Sequence, residues 1–202
     1  MIAPETAELR RGFLTASAAA KIMGGPETKG LSEYVRRLGG ERVYGDLGEE
    51  GYKSWAMDRG TQEENPALDW FEFKHDVTLV RQPFTRHPTI PYVACLPDGL
   101  CADYTVEAKC PLFHVWAETR EAWHRGKRGF DAIPSEYRWQ CRWQVWCAGV
   151  PGGRFVAYHP AGGGIGVVIP YTVEPADFEA MEKRAAVVEG LVRNWVELLK
   201  AA

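Results

Sequence analysis

Leu96-Pro97-Asp98-Gly99-Leu100-Cys101-Ala102-Asp103-Tyr104-Thr105-Val106-Glu107-Ala108-Lys109 joins a Pro-Asp-Gly turn to a short β-favouring run, and the rest of the chain is read around it. Proline and glycine punctuate turns, so Asp98 sits between two apolar strands with its side chain aimed at the end of a sheet. On a strand, residues i and i+2 share a face. Glu107 and Lys109 therefore point together while Ala108 points away. The small and apolar members of Val106-Glu107-Ala108-Lys109-Cys110 predict partial burial, and a buried carboxylate needs a counter-charge or a metal. Two carboxylates and an ammonium converging on one spot suit a divalent cation and an activated water, the chemistry of phosphodiester hydrolysis.

The surrounding 202 residues are ordinary for a globular protein apart from eight tryptophans. That length predicts one domain over 1–202 with a substantial core. A net charge of −3 gives no global basic signal, so nucleic-acid binding would rest on local patches. No apolar run has the length of a membrane span and no signal-peptide pattern opens the chain. Cys95, Cys101, Cys110, Cys141 and Cys147 form no C-x-x-C pair. They read as reduced thiols of a cytoplasmic protein rather than as a zinc site.

Outward from the opening run, the pattern predicts strands over Val77–Gln82, Tyr92–Leu96 and Tyr104–Cys110. A hairpin is expected from Arg154–Tyr158 and Ile165–Tyr171 around Gly162-Gly163-Gly164. Helices are expected over Thr15–Met23, with a Thr or Ser cap and a glycine stop, and over Ser32–Leu38. Others are Ser54–Lys74, with a break before Pro66, Leu112–Trp123, Pro134–Cys147 and Pro175–Leu199. In the last, Phe178, Met181, Ala185, Val188, Val192, Trp195 and Leu199 recur at three- and four-residue steps. Helices flanking a small central group of strands define an α/β (α+β) fold.

Three further places carry candidate chemistry. On the Pro134–Cys147 helix, Tyr137, Gln140, Cys141 and Gln144 share one face, and Trp139, Trp143 and Trp146 the opposite one. The first face fits a semi-buried pocket whose amides orient a water or a phosphate oxygen, or it is simply exposed. The tryptophans are core or a subunit contact. Arg59-Gly60-Thr61-Gln62-Glu63-Glu64-Asn65-Pro66 sets two acids at the start of a helical stretch. They are either placed there for the helix dipole or turned toward Asp98 and Glu107. Leu9-Arg10-Arg11-Gly12-Phe13-Leu14-Thr15-Ala16-Ser17 joins two arginines to a helix start, the makings of a phosphate cradle. Basic residues also cluster from Arg120 to Arg142, diluted by Glu118, Glu121, Asp131 and Glu136.

In order along the chain, residues 9–17, 60–67, 94–101, 107–111 (Glu-Ala-Lys-Cys-Pro) and 135–140 (Ser-Glu-Tyr-Arg-Trp-Gln) resemble the phage lambda exonuclease family, also called YqaJ-like viral recombinases, of the PD-(D/E)xK nucleases. The similarity runs from Leu9 to Tyr158. It implies a restriction-endonuclease-like domain with a central mixed β-sheet flanked by helices. The implied activity is a Mg²⁺-dependent exonuclease, with Mn²⁺ as a substitute, that degrades one strand of duplex DNA from its 5′ end and leaves a 3′ overhang for annealing. Asp98, Glu107 and the Ala108 carbonyl would hold the metal, and Lys109 would position the attacking water and help deprotonate it. Glu64 would serve a second metal or its water shell. Gln140, with Tyr137, would orient the nucleophile or scissile phosphate. Arg10 and Ser17 match the anchor for the terminal 5′-phosphate, and Met57 stands where relatives place a strand-separating wedge. A ring-shaped homotrimer and a single-strand-annealing partner are implied as well.

This chain departs from some relatives at Leu96, where they have serine, and near Val115, where they have arginine. Both departures weaken or rebuild the phosphate pocket. Competing readings keep the metal centre as an endonuclease, reduce the chain to a DNA-end-binding protein, or recast Asp98 and Glu107 as a glycosidase pair. The last leaves Lys109 and the glutamines without a role.

Overall fold

The computed structural model describes residues 8–25, 28–47 and 55–201; the side chains at 55–58, 61 and 162 lie outside that description. Among the described residues, eight strands divide into two mixed sheets. One holds β1 (Leu14–Thr15), β4 (Val93–Cys95) and β3 (Thr85–Arg86), in that order, with β1 parallel and β3 antiparallel to β4. The other runs β2 (Val80–Arg81), β5 (Gly99–Leu100), β6 (Tyr104–Lys109), β7 (Gly152–His159), β8 (Ile165–Thr172), with only the β6–β7 pair parallel. The mixed strand pairing that the resemblance implies is present, and the Leu96-Pro97-Asp98 turn divides the strands between two sheets. Proline lacks the N–H that would continue the ladder, so β4 and β5 leave the turn in different sheets. Gly99 is needed there, because a Cβ at this position would stand 2.7 Å from Leu79 Cδ1.

Six helices lie among the described residues: α1 (Ala19–Met23), α2 (Lys29–Tyr44), α3 (Trp55–His75), α4 (Phe113–His124), α5 (Ser135–Ala148) and α6 (Pro175–Lys200). Glu107 is registered opposite Phe155 across β6 and β7. On that face of the large sheet, Phe155, Ala157 and Ile169 meet α5, α1 and α6 in the main core. On the other face, Val106, Ala108, Val156 and Tyr158 meet Ala67, Leu68 and Phe71 of α3. Trp143 is fully buried and donates its indole N–H to the Ala94 carbonyl (3.2 Å), while Trp146 packs edge-on against it. These two tryptophans are core, and Trp139 is half-buried beside Arg142.

Local chemistry accounts for most boundaries. Thr28 caps α2 by accepting from the Leu31 N–H, Pro175 opens α6, and left-handed Gly149 (φ 68°) closes α5. The segment Thr15–Met23 is not one helix. Leu14–Thr15 pairs with β4, a 3-10 turn covers Ala16–Ala18, and α1 follows, stopped by Gly24. The Thr15 hydroxyl meets Ser17 Oγ (3.2 Å) instead of capping. Helix α3 runs through Pro66 without a break. Interior proline costs about 3 kcal/mol, but Leu68 and Phe71 are almost wholly buried, and burying each is worth about 1.5–3 kcal/mol. Arg59-Gly60 is helical, and Glu63 and Glu64 lie in the helix interior rather than at its start.

Candidate active site

Strand β6 delivers Glu107 and Lys109 to the face covered by α5, as the i, i+2 spacing requires. Glu107 is 0% exposed. Its Oε1 accepts from Lys109 Nζ and from Gln140 Nε2 (2.5 Å), and its Oε2 from Gln144 Nε2. One ammonium and two amides thus compensate a fully desolvated carboxylate. The polar face of α5 is consequently an inner wall rather than a solvated surface. Gln140 and Gln144, one helical turn apart, grip opposite oxygens of the same group.

Asp98 arrives from the Pro-Asp-Gly turn and accepts the Ala108 N–H at its Oδ2 (2.7 Å). Burial raises its carboxyl well above the ordinary aspartate value and the neighbouring Glu107 charge adds to that, while Lys109 pulls the other way. For Lys109, burial would lower the ammonium, but Glu107 and Asp98 outweigh it and hold the group above its usual value. The ammonium also lies 5.6 Å from the centre of the Tyr137 ring. Tyr137 stacks on Phe155, and burial pushes its hydroxyl upward.

A cavity of about 220 Å³ is lined by Arg10, Thr15, Ser17, Glu64, Leu96, Asp98, Lys109 and Gln140. A second, of about 520 Å³, shares Glu64 and Lys109 with it and adds Arg59, Val115 and Tyr137. Every candidate residue with a described side chain therefore lies in or against one of two cavities that share Glu64 and Lys109. Met57 is in the first turns of α3, and its side chain is among those outside the description. Arg10 Nη2 donates to Ser17 Oγ (3.2 Å). Burial, and then the nearby Arg37 charge, hold its guanidinium below the usual arginine value, so the hollow contains a half-buried cation next to another cation. An anion placed beside Arg10 would be favoured by both.

Gln82 belongs to this centre and has no signature in the sequence. It is a non-glycine residue in the left-handed region (φ 46°). Its N–H donates to the Asp98 carbonyl (3.1 Å) and its side-chain amide to Glu64 Oε1 (2.7 Å). One residue thus ties the turn that carries Asp98 to the helix that carries Glu64. Arg59 performs a similar service behind Lys109, donating to the carbonyls of Cys110 (2.7 Å) and Pro111 (2.6 Å).

Among the described residues, no group of three or more His, Cys, Asp or Glu is arranged to hold a metal, and all five thiols are free. Metal binding would therefore fall to a sparse oxygen set: Asp98, Glu107 and the Ala108 carbonyl. That set fits a hard divalent cation that keeps several waters and shares substrate phosphate oxygens. The crowded, mutually repelling carboxylates are what such a cation would relieve. Hydrogen bonds from Lys109, Gln140 and Gln144 take three of the roughly four lone-pair sites of Glu107, so a cation would share that carboxylate with them.

A mixed sheet with paired acids at one strand end, flanked by helices, is the restriction-endonuclease-like fold found in the alkaline exonucleases. Residues 7–151 match the YqaJ-like viral recombinase domain, and the chain belongs to that family. It superposes on the alkaline exonuclease LHK-Exo from Laribacter hongkongensis with a TM-score of 0.79 at 24% identity, over 98% of this chain and 96% of that one. The complex of LHK-Exo with dAMP gives 0.78 at 25% identity, over the same shares of the two chains. A phage-related exonuclease from Haemophilus somnus 129PT gives 0.64 at 14% identity, covering 94% of this chain and 96% of that one. No curated protein matches the chain by sequence. No described helix is long and apolar enough to cross a membrane.

Proposed function

We propose that the protein is a Mg²⁺-dependent PD-(D/E)xK exonuclease that digests one strand of duplex DNA from its 5′ end, leaving 3′ overhangs for recombination by strand annealing. Family membership and the fold shared with exonucleases support a DNA exonuclease acting in recombination. The observation that carries the finer reading is the single hollow in which Asp98, Lys109 and Gln140 face Arg10 and Ser17.

Asp98, Glu107 and the Ala108 carbonyl hold one metal, and Glu64 serves a second ion or its waters, with Mn²⁺ able to substitute. Bound there, the cation would supply Lewis-acid stabilisation of the phosphate and a more acidic attacking water. Lys109 positions that water, and its positive charge favours the hydroxide form. Gln140 orients the water or the scissile phosphate, and Tyr137 closes the side of the site. Arg10 and Ser17 take the 5′-phosphate, which sets polarity. Leu96 lines that cavity and Val115 the neighbouring one, so Arg10 bears more of the phosphate charge than it would beside a serine and a second arginine. A ring of three subunits around DNA, cooperating with a single-strand-annealing protein, completes the proposal.

The test is digestion of an end-labelled linear duplex with Mg²⁺, following both strands, beside a covalently closed plasmid. Each strand should lose its 5′ label first while its 3′ label stays in long product, and the closed circle should remain intact. Cutting of the closed circle would replace the exonuclease with an endonuclease. Inert linear duplex would leave only a DNA-binding protein.

A further inference from the structure

Helix α4 contributes to two hollows. Val115 lines the larger catalytic cavity, and the next residue, Trp116, lines a separate cleft of about 430 Å³. The cleft is walled by Trp70 and Lys74 of α3, by Trp116, Arg120, Trp123 and His124 of α4, and by residues 164–168 at the edge strand β8. It gathers three of the chain's eight tryptophans. No carboxylate lines it, although the protein carries a net charge of −3.

The arrangement is specific. Lys74 and Arg120 are both exposed, Lys74 near the Trp70 ring (6.0 Å) and Arg120 over the Trp116 ring (5.3 Å). Glu121, the acid beside Arg120, is bonded to Arg125 (2.7 Å). The Trp116 indole N–H is buried in the wall without a hydrogen-bond partner among the described residues, a donor that calls for an acceptor. Gly166 lets β8 lie against Trp70, since a Cβ there would stand 2.5 Å from the ring. At the end of α4 nearest the catalytic cavity, Phe113 is 55% exposed. It packs on Trp116 (5.6 Å) and edge-on to His159 (5.4 Å).

We propose that this cleft holds a short run of single-stranded DNA, the strand that the catalytic cavity does not consume. Cations facing a groove whose described lining has no acid match a phosphate backbone, and the half-buried Trp70 and Trp123 rings accept bases of any sequence. The proposal rests on DNA being the substrate. It adds a second contact beside the catalytic cavity that keeps the enzyme on the surviving strand as it advances.

The experiment measures binding of fluorescein-labelled dT10 to the full chain in EDTA, where no hydrolysis occurs, as a function of salt. Lys74→Glu/Arg120→Glu reverses two exposed charges, and an unchanged melting curve checks that it folds. The expected result is at least tenfold weaker binding, with a log K against log salt slope shallower by about 1.4, the value for two lost phosphate contacts on a single strand. First-nucleotide release from a blunt duplex should persist, while the length digested per binding event falls. Unchanged affinity and slope in the double variant would overturn the proposal. So would a cleft that takes up an extended peptide along β8 and ignores dT10. Failure of the wild type to cut linear duplex with Mg²⁺ would sink the exonuclease reading separately, because the EDTA measurement does not depend on it.

Discussion

At Asp98 the conflict between stability and function is visible in one side chain. It is buried beside another acid, and only the Ala108 N–H and the Lys109 charge work in its favour. Asp98→Asn keeps an oxygen for the Ala108 N–H and removes one of two repelling charges. The variant should melt at the wild-type temperature or above while losing Mg²⁺-dependent hydrolysis and the Mg²⁺-induced rise in melting temperature. Calorimetry with and without Mg²⁺ checks this, and unfolding of the variant would make Asp98 structural. Gln82 poses a different test, because it combines a strained backbone with a useful amide. Gln82→Ala keeps the left-handed strain and drops the amide; Gln82→Gly drops both. The glycine variant should be the more stable of the two by about 1 kcal/mol, with cleavage reduced equally in both. Unequal cleavage would show that backbone relaxation, rather than the freed Glu64, limits the reaction. For Arg10→Ala, preference for 5′-phosphorylated over 5′-hydroxyl duplex should disappear; an unchanged preference would remove Arg10 from the phosphate site.

At the scale of elements, Pro66 shows how packing overrides propensity. It is exposed, and the helix around it is held by Leu68 and Phe71 on the buried face. Pro66→Ala restores an interior N–H without touching that face. A gain of about 1 kcal/mol is expected, a rise of about 2–4 °C for a chain of this size, with cleavage unaltered. A drop in melting temperature would mean that the unbroken course of α3 depends on the ring. The same contest explains what the sequence conveys. Helix α6 and strand β6 are legible because their spacing is local and repeated, and Glu107, Lys109 and Gln140 are legible for the same reason: two strand positions and a helix turn fix which way each points. The strand expected over Val77–Gln82 shrinks to Val80–Arg81. Its partner β5 is two residues long, and the Leu79 N–H is taken by Glu72 Oε1 (2.7 Å) rather than by a ladder. Gln82 escapes notice because its role arises where that short strand crosses the Asp98 turn. No pattern within either segment records the meeting.

For the whole molecule, cooperativity is concentrated where distant segments share a polar group. Arg42 of α2 holds Glu189 of α6 with two bonds (2.9 and 2.8 Å) and also donates to the Gly12 carbonyl (2.8 Å), joining the N-terminal region to the last helix. His87 ties the loop after β3 to the core in a pH-dependent way. Its Nδ1 accepts the N–H groups of Thr89 (3.3 Å) and Ile90 (3.2 Å), and its ring lies 4.6 Å from that of Trp146 in the core. Those bonds require an unprotonated Nδ1. Burial lowers the ring's pKa in the folded protein, opposed by the Glu182 charge. Because the folded value is the lower one, the unfolded chain binds more protons as pH falls through the ordinary histidine value, about 6.5. His87 therefore contributes fully above that pH and loses its contribution below it. Melting temperatures measured from pH 7.5 to 5.5 should fall for the wild type. His87→Asn, whose side-chain oxygen can accept the same N–H groups without titrating, should show a flatter profile. Parallel profiles for the two proteins would assign the acid sensitivity elsewhere.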